Sequence, residues 1–363
     1  MTRAPGSTPA GRYIRVAVAV VTVPVLIFVF FLGYIVVTDY RPAPTEPGQV
    51  LHTPPASATI PVDEPLKITT FNIGYAGLDA GQDFFMDGGT RSRSQSLQQT
   101  LTNMDGILSF ITTNNADIYA LQEVDRRSSR SFDTDQVAMI TQTVGEEYGA
   151  WFAWNYRAKW VPVPLTNPMG YANSGLLTLS RYYSSRTTRY ALPGDEPIPK
   201  RYFDLKRAVL QNVFPTGNGK ELYFINLHLS AFDEGGRIRA QQVAFLIDHI
   251  RSLYKQGHYI VLAGDWNHLL DVTFTDRYTD PLPDWVAILP ETLLKLDFTL
   301  AFDPDVNTVR DNAAPYAAGT TFETIIDGFF VSNNISVLET TTTDLSFRHS
   351  DHNPVTVTLR LEG

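Results

Sequence analysis

Short runs of β-branched and aromatic residues recur after residue 65, each with the length of a buried strand. They cover residues 67–73, 117–124, 176–180, 208–213, 221–229, 258–264, 325–331 and 354–359. Helical periodicity separates some of the runs, with one apolar stripe at Leu97, Leu101, Met104, Leu108 and Ile111 and another at Val243, Leu246, Ile247, Ile250 and Tyr254. The chain shows no internal repeat of solenoid length. We therefore predict a single α/β domain over residues 66–363.

The longest apolar run lies near the start of the chain, where residues 16–37 include no charged side chain. A helix of this length spans roughly 33 Å, enough to cross a bilayer. A cleavable signal peptide is the alternative, but its apolar core is usually about 7 to 15 residues long and ends in small residues, whereas Thr38, Asp39 and Tyr40 follow this run. Three arginines precede the run, so the positive-inside rule predicts that residues 1–15 are cytoplasmic and that the rest lies outside.

A proline-rich segment follows the apolar run. Residues 41–65 contain seven prolines and no hydrophobic periodicity. This composition is typical of a semi-rigid extended spacer, with simple disorder as the alternative. We predict that residues 38–65 are a linker between a transmembrane helix at residues 16–37 and the α/β domain.

Composition and charge narrow the class of protein. With 44% hydrophobic and 12% aromatic residues, the chain is too apolar for a disordered protein, and the lack of cysteine excludes disulfides and thiol nucleophiles. Residues 1–40 hold three arginines and one aspartate, which leaves a formal net charge of −11 for the rest out of the total of −9. This acidity disfavours binding of nucleic acid through broad neutralisation of its phosphates. An acidic enzyme that acts on phosphates needs a metal.

Polar residues stand where several predicted strands end or begin. They are Asn72, Glu123, His228, Asp265, Asn267, Asp327, Asp351 and His352. Ligands of α/β sheets gather at strand ends. Carboxylates, amides and imidazoles in these positions are typical of a site that holds a metal and a phosphate.

Six segments that carry these residues resemble the endonuclease/exonuclease/phosphatase superfamily of metal-dependent phosphoesterases. They are TFNIGY (70–75), ALQEVD (120–125), NLHLSA (226–231), GDWN (264–267), IDG (326–328) and SDHNP (350–354). Each segment alone is weak, but the six occur in the family's order and cover nearly the whole predicted domain. The resemblance implies a four-layer α/β sandwich, in which helices flank two central β-sheets, and the hydrolysis of a phosphoester.

The resemblance also implies a metal site. Glu123 would be the principal ligand of Mg²⁺, with Mn²⁺ as the alternative ion. Asn72 would be a second oxygen ligand, and Asp351 would lie near the metal. Hard cations of this kind prefer oxygen ligands and keep most of their water, so few protein ligands suffice.

The same resemblance implies the catalytic residues. Asp265 would orient or deprotonate the attacking water, while Asn267 and His228 would donate to phosphoryl oxygens. His352 would act as general base or phosphate donor, and Asp327 would hold its ring.

Asn173 and Arg207 are further candidates for substrate binding. Asn173 opens a segment that resembles the family segment in which a small polar turn leads into a core strand, and the resemblance implies that it touches phosphate. A purely structural turn is the alternative. Arg207 could equally form a surface ion pair.

Loops outside the six segments must decide the substrate. The polar insertion at residues 79–96 is expected to overhang the site. Residues 151–164 hold three tryptophans, of which Trp151 and Trp154 are expected to pack in the core and Trp160 to be exposed.

Together these expectations describe a membrane-tethered, Mg²⁺-dependent phosphodiesterase or phosphatase whose catalytic domain lies outside the cytoplasm. Tethering and acidity favour phospholipid headgroups or small phosphoesters as substrates. An extracellular nuclease of the same fold is the alternative, and a non-catalytic binding module is the alternative of another class. No protein partner can be inferred from the sequence.

Overall fold

The computed structural model describes residues 9–55, 58–231, 233–271, 282–283 and 285–363. The chain forms two compact units, Met1–Tyr40 and Arg41–Gly363. The first unit contains helix α1 (Pro9–Thr38), which includes the predicted apolar run. Within it, Arg12–Thr38 contains an 18-residue stretch with a mean hydropathy of 2.8 and is long and apolar enough to cross a membrane.

In its described residues, the second unit contains four α-helices and two large mixed sheets. The helices are α2 (Leu97–Asn114), α3 (Gln136–Val144), α4 (Arg237–Tyr254) and α5 (Glu291–Leu294). The strands are β1 (Thr45–Pro47), β2 (Gln49–His52), β3 (Pro65–Asn72), β4 (Ile118–Asp125), β5 (Gly149–Val161), β6 (Gly170–Ser180), β7 (Arg186–Ala191), β8 (Ala208–Pro215), β9 (Glu221–His228), β10 (Tyr259–Asp265), β11 (Phe298–Ala301), β12 (Val309–Arg310), β13 (Glu323–Thr324), β14 (Asp327–Ser332), β15 (Ile335–Thr342) and β16 (Val355–Leu361).

The two large sheets each have seven strands in the described part of the chain. The first sheet has the order β1-β7-β8-β9-β10-β14-β11, and the second has the order β15-β16-β3-β4-β6-β5-β2. A separate ribbon pairs β12 with β13. All eight predicted strands are present in these sheets, and the prediction of an α/β fold is confirmed.

The main core lies between the two sheets. Buried residues of the second sheet, such as Ile68 and Leu176, join one hydrophobic cluster with Phe224, Val261 and Phe329 of the first sheet. Sheets packed in this way bury their facing side chains in a layer ~10 Å thick.

The helices cover the outer faces of the sheets. Leu246 and Ile250 of α4 pack on the first sheet, and Ile107 of α2 and Ile140 of α3 pack on the second sheet. The layers are therefore helix, sheet, sheet and helix, which confirms the predicted four-layer sandwich.

Helix α2 shows one departure from its predicted apolar stripe. Leu97 is 47% exposed, whereas Met104 and Ile111 are buried together with Asn103. The Asn103 amide donates to a carboxylate oxygen of Asp79 at 3.0 Å. Because of this polar contact, the buried face of α2 includes Asn103. A search for apolar positions alone does not detect a buried polar residue.

The predicted linker at residues 38–65 is wrong for its central part. Residues 45–47 pair with β7 at the edge of the first sheet, and residues 49–52 pair with β5 at the edge of the second. Edge strands tolerate proline because one side of the strand makes no ladder hydrogen bonds. Proline content therefore gave a misleading indication of a free spacer here.

Strand β5 contains the tryptophan cluster and was not predicted as a strand. Nine of its thirteen residues are buried and they lie on both faces, so it shows no polar–apolar alternation. Trp151 is fully buried, Trp154 is half-buried and Trp160 is 40% exposed, as expected from the sequence.

Candidate active site

Three adjacent strands of the first sheet place polar residues side by side at one end of the sheet. In the register of β10, Asp265 is paired with His228 at the end of β9 and with Asp327 at the start of β14. All three side chains are buried. One end of the first sheet therefore carries two carboxylates and an imidazole next to each other.

The second sheet contributes Asn72 and Glu123. Asn72 is the last residue of β3 and pairs with Gln122 in β4. Glu123 lies at a bulge between Leu121 and Val124 and has a positive φ of 54°. A bulge re-aims the side chain of its extra residue, which turns Glu123 toward the same edge as Asn72.

Hydrogen bonds join the two halves of the site. The Asn72 amide donates to Asp265 Oδ2 at 3.0 Å and lies 3.5 Å from Glu123 Oε1. His352 Nδ1 donates to Asp327 Oδ2 at 2.8 Å, and its Nε2 lies 3.8 Å from Asp265 Oδ2. The predicted pairing of His352 with Asp327 is present in the structure.

Burial and neighbouring charges perturb these groups strongly. Burial alone would lower the pKa of His352, but the carboxylate of Asp327 outweighs it, and the pKa rises to about 10. Burial and then repulsion by Asp327 raise the pKa of Asp265 to about 7. Burial and the Arg207 guanidinium lower the pKa of His228 well below its usual value. The imidazole of His352 is thus positively charged, and the imidazole of His228 is neutral.

Glu123 faces a buried cation–aromatic network that the sequence did not indicate. Arg130 lies 3.4 Å from Glu123 and pairs with the fully buried Asp125 at 2.9 Å. Its guanidinium stacks on Tyr75, 3.8 Å from the ring centroid. Burial raises the pKa of Tyr75 well above its usual value, so the buried hydroxyl of this cavity-lining residue stays protonated.

Asp351 is held by a second group of polar residues. Asn312 donates to Asp351 Oδ2 at 2.8 Å, and the backbone N–H of Arg310 donates to the Asp351 carbonyl. The Arg310 guanidinium donates to the carbonyls of Asp79 and Gln82 at 2.8 and 3.1 Å. Arg310 therefore attaches the predicted insertion, residues 79–96, to the residue next to His352.

The donor set fits a divalent cation bound through oxygen atoms. Glu123 is 21% exposed and lines the cavity, as do Asp351 and Asn312. Asn312 Oδ1 is buried and makes no hydrogen bond to any described residue. Asn72 Oδ1 accepts from the Gly74 N–H at 3.0 Å, and its amide nitrogen faces Glu123. Its role as a second oxygen ligand stays a prediction.

Another group of possible ligands in the described residues is Asp265, Asp327 and His352, whose ligand atoms lie within 4.8 Å of one another. We do not place the metal there, because the His352–Asp327 hydrogen bond already engages this group. Glu123 is the better ligand, since its carboxylate is the more accessible one.

One cavity of about 500 Å³ connects these residues. The predicted site residues that line it are Asn72, Glu123, Arg207, His228, Asp265, Asn267, Asp351 and His352. Asn267 reaches it through a left-handed turn with a φ of 47°. Asn173 does not line the cavity, because its side chain turns away and donates to the Arg127 carbonyl at 3.1 Å.

Phe84 to Asp87 line the cavity, so the expectation that the insertion overhangs the site is confirmed.

A buried amide pair lies beneath the site. Gln122 donates to Asn226 Oδ1 at 2.9 Å, and Asn226 donates to the carbonyls of Leu121 and Leu177 at 3.2 and 3.1 Å. Gln122 precedes Glu123, and Asn226 lies two residues before His228. Both stand inside the ALQEVD and NLHLSA segments, so their polarity in strands was the signal that could have identified them.

A sandwich in which both sheets deliver acids, amides and imidazoles to one cavity is the architecture of a metal-dependent phosphoesterase. The chain matches the Endonuclease/Exonuclease/phosphatase family over residues 69–352, and it belongs to that family. It is a hydrolase that acts on phosphoester bonds. The alternative of a non-catalytic module is set aside.

Solved structures share the fold. The endonuclease/exonuclease/phosphatase from Beutenbergia cavernae DSM 12333 has 18% identity and a TM-score of 0.54, over 82% of this chain and 72% of that chain. The one from Bacteroides vulgatus has 18% identity and a TM-score of 0.53, over 82% and 100%. D. rerio TDP2 complexed with single strand DNA product has 14% identity and a TM-score of 0.52, over 82% and 100%. No curated protein sequence matches the chain significantly.

Proposed function

We propose that the protein is a membrane-tethered, Mg²⁺-dependent phosphodiesterase or phosphatase that acts outside the cytoplasm on small phosphoesters or phospholipid headgroups. The observation that carries the proposal is the contact between the two sheets, in which Asn72 donates to Asp265 at 3.0 Å beside Glu123. This contact brings a metal-binding carboxylate and a water-activating carboxylate to the same cavity.

Each residue has a role in the proposed reaction. Glu123 and Asp351 would hold the metal, which when bound supplies positive charge to the phosphoryl oxygens. Asp265 accepts the proton of the attacking water as the water oxygen forms a bond to phosphorus. The ester P–O bond breaks, and the leaving alkoxide takes a proton from solvent. His352, held by Asp327, donates from Nε2 to a phosphoryl oxygen.

The substrate preference rests on charge. The chain after residue 40 has a formal net charge of −11, which opposes the approach of an extended polyanion. A nuclease is the second candidate, and the observation that favours it is the shared fold of TDP2 complexed with single strand DNA product. Plasmid and single-stranded DNA therefore belong among the substrates tested.

Removal of the metal tests the proposed chemistry. The full-length protein is expected to hydrolyse bis(p-nitrophenyl) phosphate with Mg²⁺, to lose at least about 99% of this activity in EDTA, and to regain it when Mg²⁺ is restored. Release of p-nitrophenol gives the rate. Full activity in the chelator would contradict the metal-dependent mechanism, and turnover of DNA alone would favour the nuclease.

Helix α1 supports membrane attachment through its length and hydropathy. We expect the full-length protein to stay in the membrane pellet after an alkaline carbonate wash. The double variant Leu26→Arg and Val29→Arg is expected to enter the supernatant, because each arginine at the centre of a membrane helix costs roughly 2.5 to 3.5 kcal/mol.

Orientation is tested on the same cells after any outer membrane has been removed. Added protease is expected to digest the domain that follows residue 40 while a cytoplasmic marker survives. A wild-type protein released by carbonate, or a domain protected from protease, would contradict the proposed location.

A further inference from the structure

Much of the cavity wall is apolar and comes from segments outside the central strands of the sandwich. Phe85 and Met86 belong to the insertion after β3, Val163 and Met169 lie between β5 and β6, and Phe203 and Leu205 lie between β7 and β8. We call these six residues the apolar trough. They line the same cavity as Glu123, Asp265 and His352.

The trough rests on its own small hydrophobic cluster. Tyr75, Phe84, Tyr156 and Met169 are buried in this cluster, and Phe85, Phe203 and Leu205 pack against it while remaining half-buried. Met86 and Val163 are 41% and 42% exposed. Apolar side chains that converge on a concave surface and stay partly in water are typical of a ligand site.

Hydrogen bonds hold the segments of the trough together. The Arg93 guanidinium of the insertion donates twice to the Pro168 carbonyl, at 3.0 and 2.6 Å. The Tyr156 hydroxyl of β5 donates to the Phe203 carbonyl at 2.8 Å. The trough is therefore built in advance and does not depend on a ligand to assemble its walls.

The trough is also attached to the polar site. The backbone N–H of Phe84 donates to the Asn312 carbonyl at 2.8 Å, and Asn312 in turn donates to Asp351. Arg207 follows the trough residue Leu205 by two positions, and its guanidinium lies 3.5 Å from the His228 carbonyl. A ligand whose phosphate reaches Arg207 and His228 thus has apolar surface beside it.

We infer that the trough binds an alkyl or acyl chain carried by the phosphoester substrate, so that the enzyme selects amphipathic phosphoesters. The inference rests on the proposed function and deepens it. The cavity of about 500 Å³ lies in the range of roughly 300–1,000 Å³ that small-molecule sites occupy. A phosphate bound at the metal would fill only the polar part of the cavity. The apolar side chains of the trough would then contact no apolar group of the ligand.

Alkyl phosphates of different length test this inference by binding. Methyl phosphate and hexyl phosphate are titrated calorimetrically, with Mg²⁺, into the full-length protein held in a peptide nanodisc without lipid or detergent. Each buried methylene is worth a factor of about four in affinity, so burial of two or three predicts that hexyl phosphate binds roughly 15- to 60-fold more tightly. Methyl and hexyl p-nitrophenyl phosphate are compared in parallel as substrates.

Two variants on different walls localise the effect. Val163→Asp and Met86→Asp are each expected to reduce the advantage of the hexyl chain to less than about threefold. The two ligands carry the same phosphate charge, so repulsion by the new carboxylate weakens both equally and cancels in their ratio. Leu165→Asp is the matched control, because Leu165 lies on the same connection as Val163, is 88% exposed and does not line the cavity. The Leu165→Asp variant should keep the wild-type preference for hexyl phosphate over methyl phosphate.

The outcomes separate the two proposals. Equal binding of methyl and hexyl phosphate would contradict the proposal that the trough binds the alkyl chain, even if both esters are hydrolysed. So would a loss of the hexyl preference in Leu165→Asp as large as in the two trough variants. Tighter binding of hexyl phosphate without hydrolysis of either ester would overturn the proposed function and, with it, the assignment of the trough to a substrate chain.

Discussion

Replacement of Glu123 by glutamine is expected to lower the kcat/KM of phosphodiester hydrolysis about a thousandfold and to abolish Mg²⁺ binding measured by calorimetry. Glutamine keeps the size of the side chain but loses the negative charge that faces the cavity. A loss of about 4 kcal/mol of electrostatic stabilisation corresponds to this change in rate. Because Glu123 is 21% exposed, the variant should fold normally.

Glu147→Gln is the matched control for this variant. Glu147 also faces an arginine, at 3.3 Å from Arg181, but it is 67% exposed and does not line the cavity. Its loss should leave both hydrolysis and Mg²⁺ binding within about twofold of the wild type. Wild-type metal affinity in Glu123→Gln would show that the metal is held by other residues.

Replacement of Asp327 by asparagine is expected to lower kcat about a thousandfold while Mg²⁺ binding and the thermal midpoint stay close to wild-type values. Asp327 holds His352 at 2.8 Å and supplies the charge that stabilises its imidazolium. An amide preserves the shape of the side chain and removes that charge, and the corresponding change in a serine protease triad costs about 10⁴-fold.

The contrast between the two variants is the decisive measurement. Glu123→Gln should lose metal and turnover together, whereas Asp327→Asn should lose turnover alone. Asp117→Asn serves as the control for the second variant. Asp117 also pairs with an arginine, since its Oδ1 lies 3.4 Å from Arg181, but it does not line the cavity. If Asp327→Asn retained more than about a tenth of the wild-type kcat, His352 would not depend on that carboxylate.

The central strands and most of the site could be predicted because their signals are local. Buried strands of the two sheets read as continuous apolar runs, and a carboxylate or imidazole at the end of such a run stands out. Asp265, Asp327 and His228 were found in this way, and the register of β9, β10 and β14 places them side by side.

Other parts of the site left no local signal. Arg130 is buried at 5% exposure because Asp125 and Tyr75 surround it, and the sequence presents it only as one arginine in a polar stretch. The apolar trough is assembled from separate loops, so no single window of sequence contains it. Residues 45–52 were predicted as linker from their proline content. Their strand partners lie more than 90 positions away in the sequence, so no local pattern indicated the pairing.

The buried amide pair of Gln122 and Asn226 has a consequence for how activity is acquired during folding. Each sheet carries only half of the proposed catalytic groups, and this pair ties the sheets in one alignment below Asn72 and Asp265. A folding intermediate with one sheet formed would contain strands and helices but no working site. Hydrolysis therefore reports the docking of the two sheets, and its recovery on refolding should follow the last cooperative step and not the appearance of secondary structure.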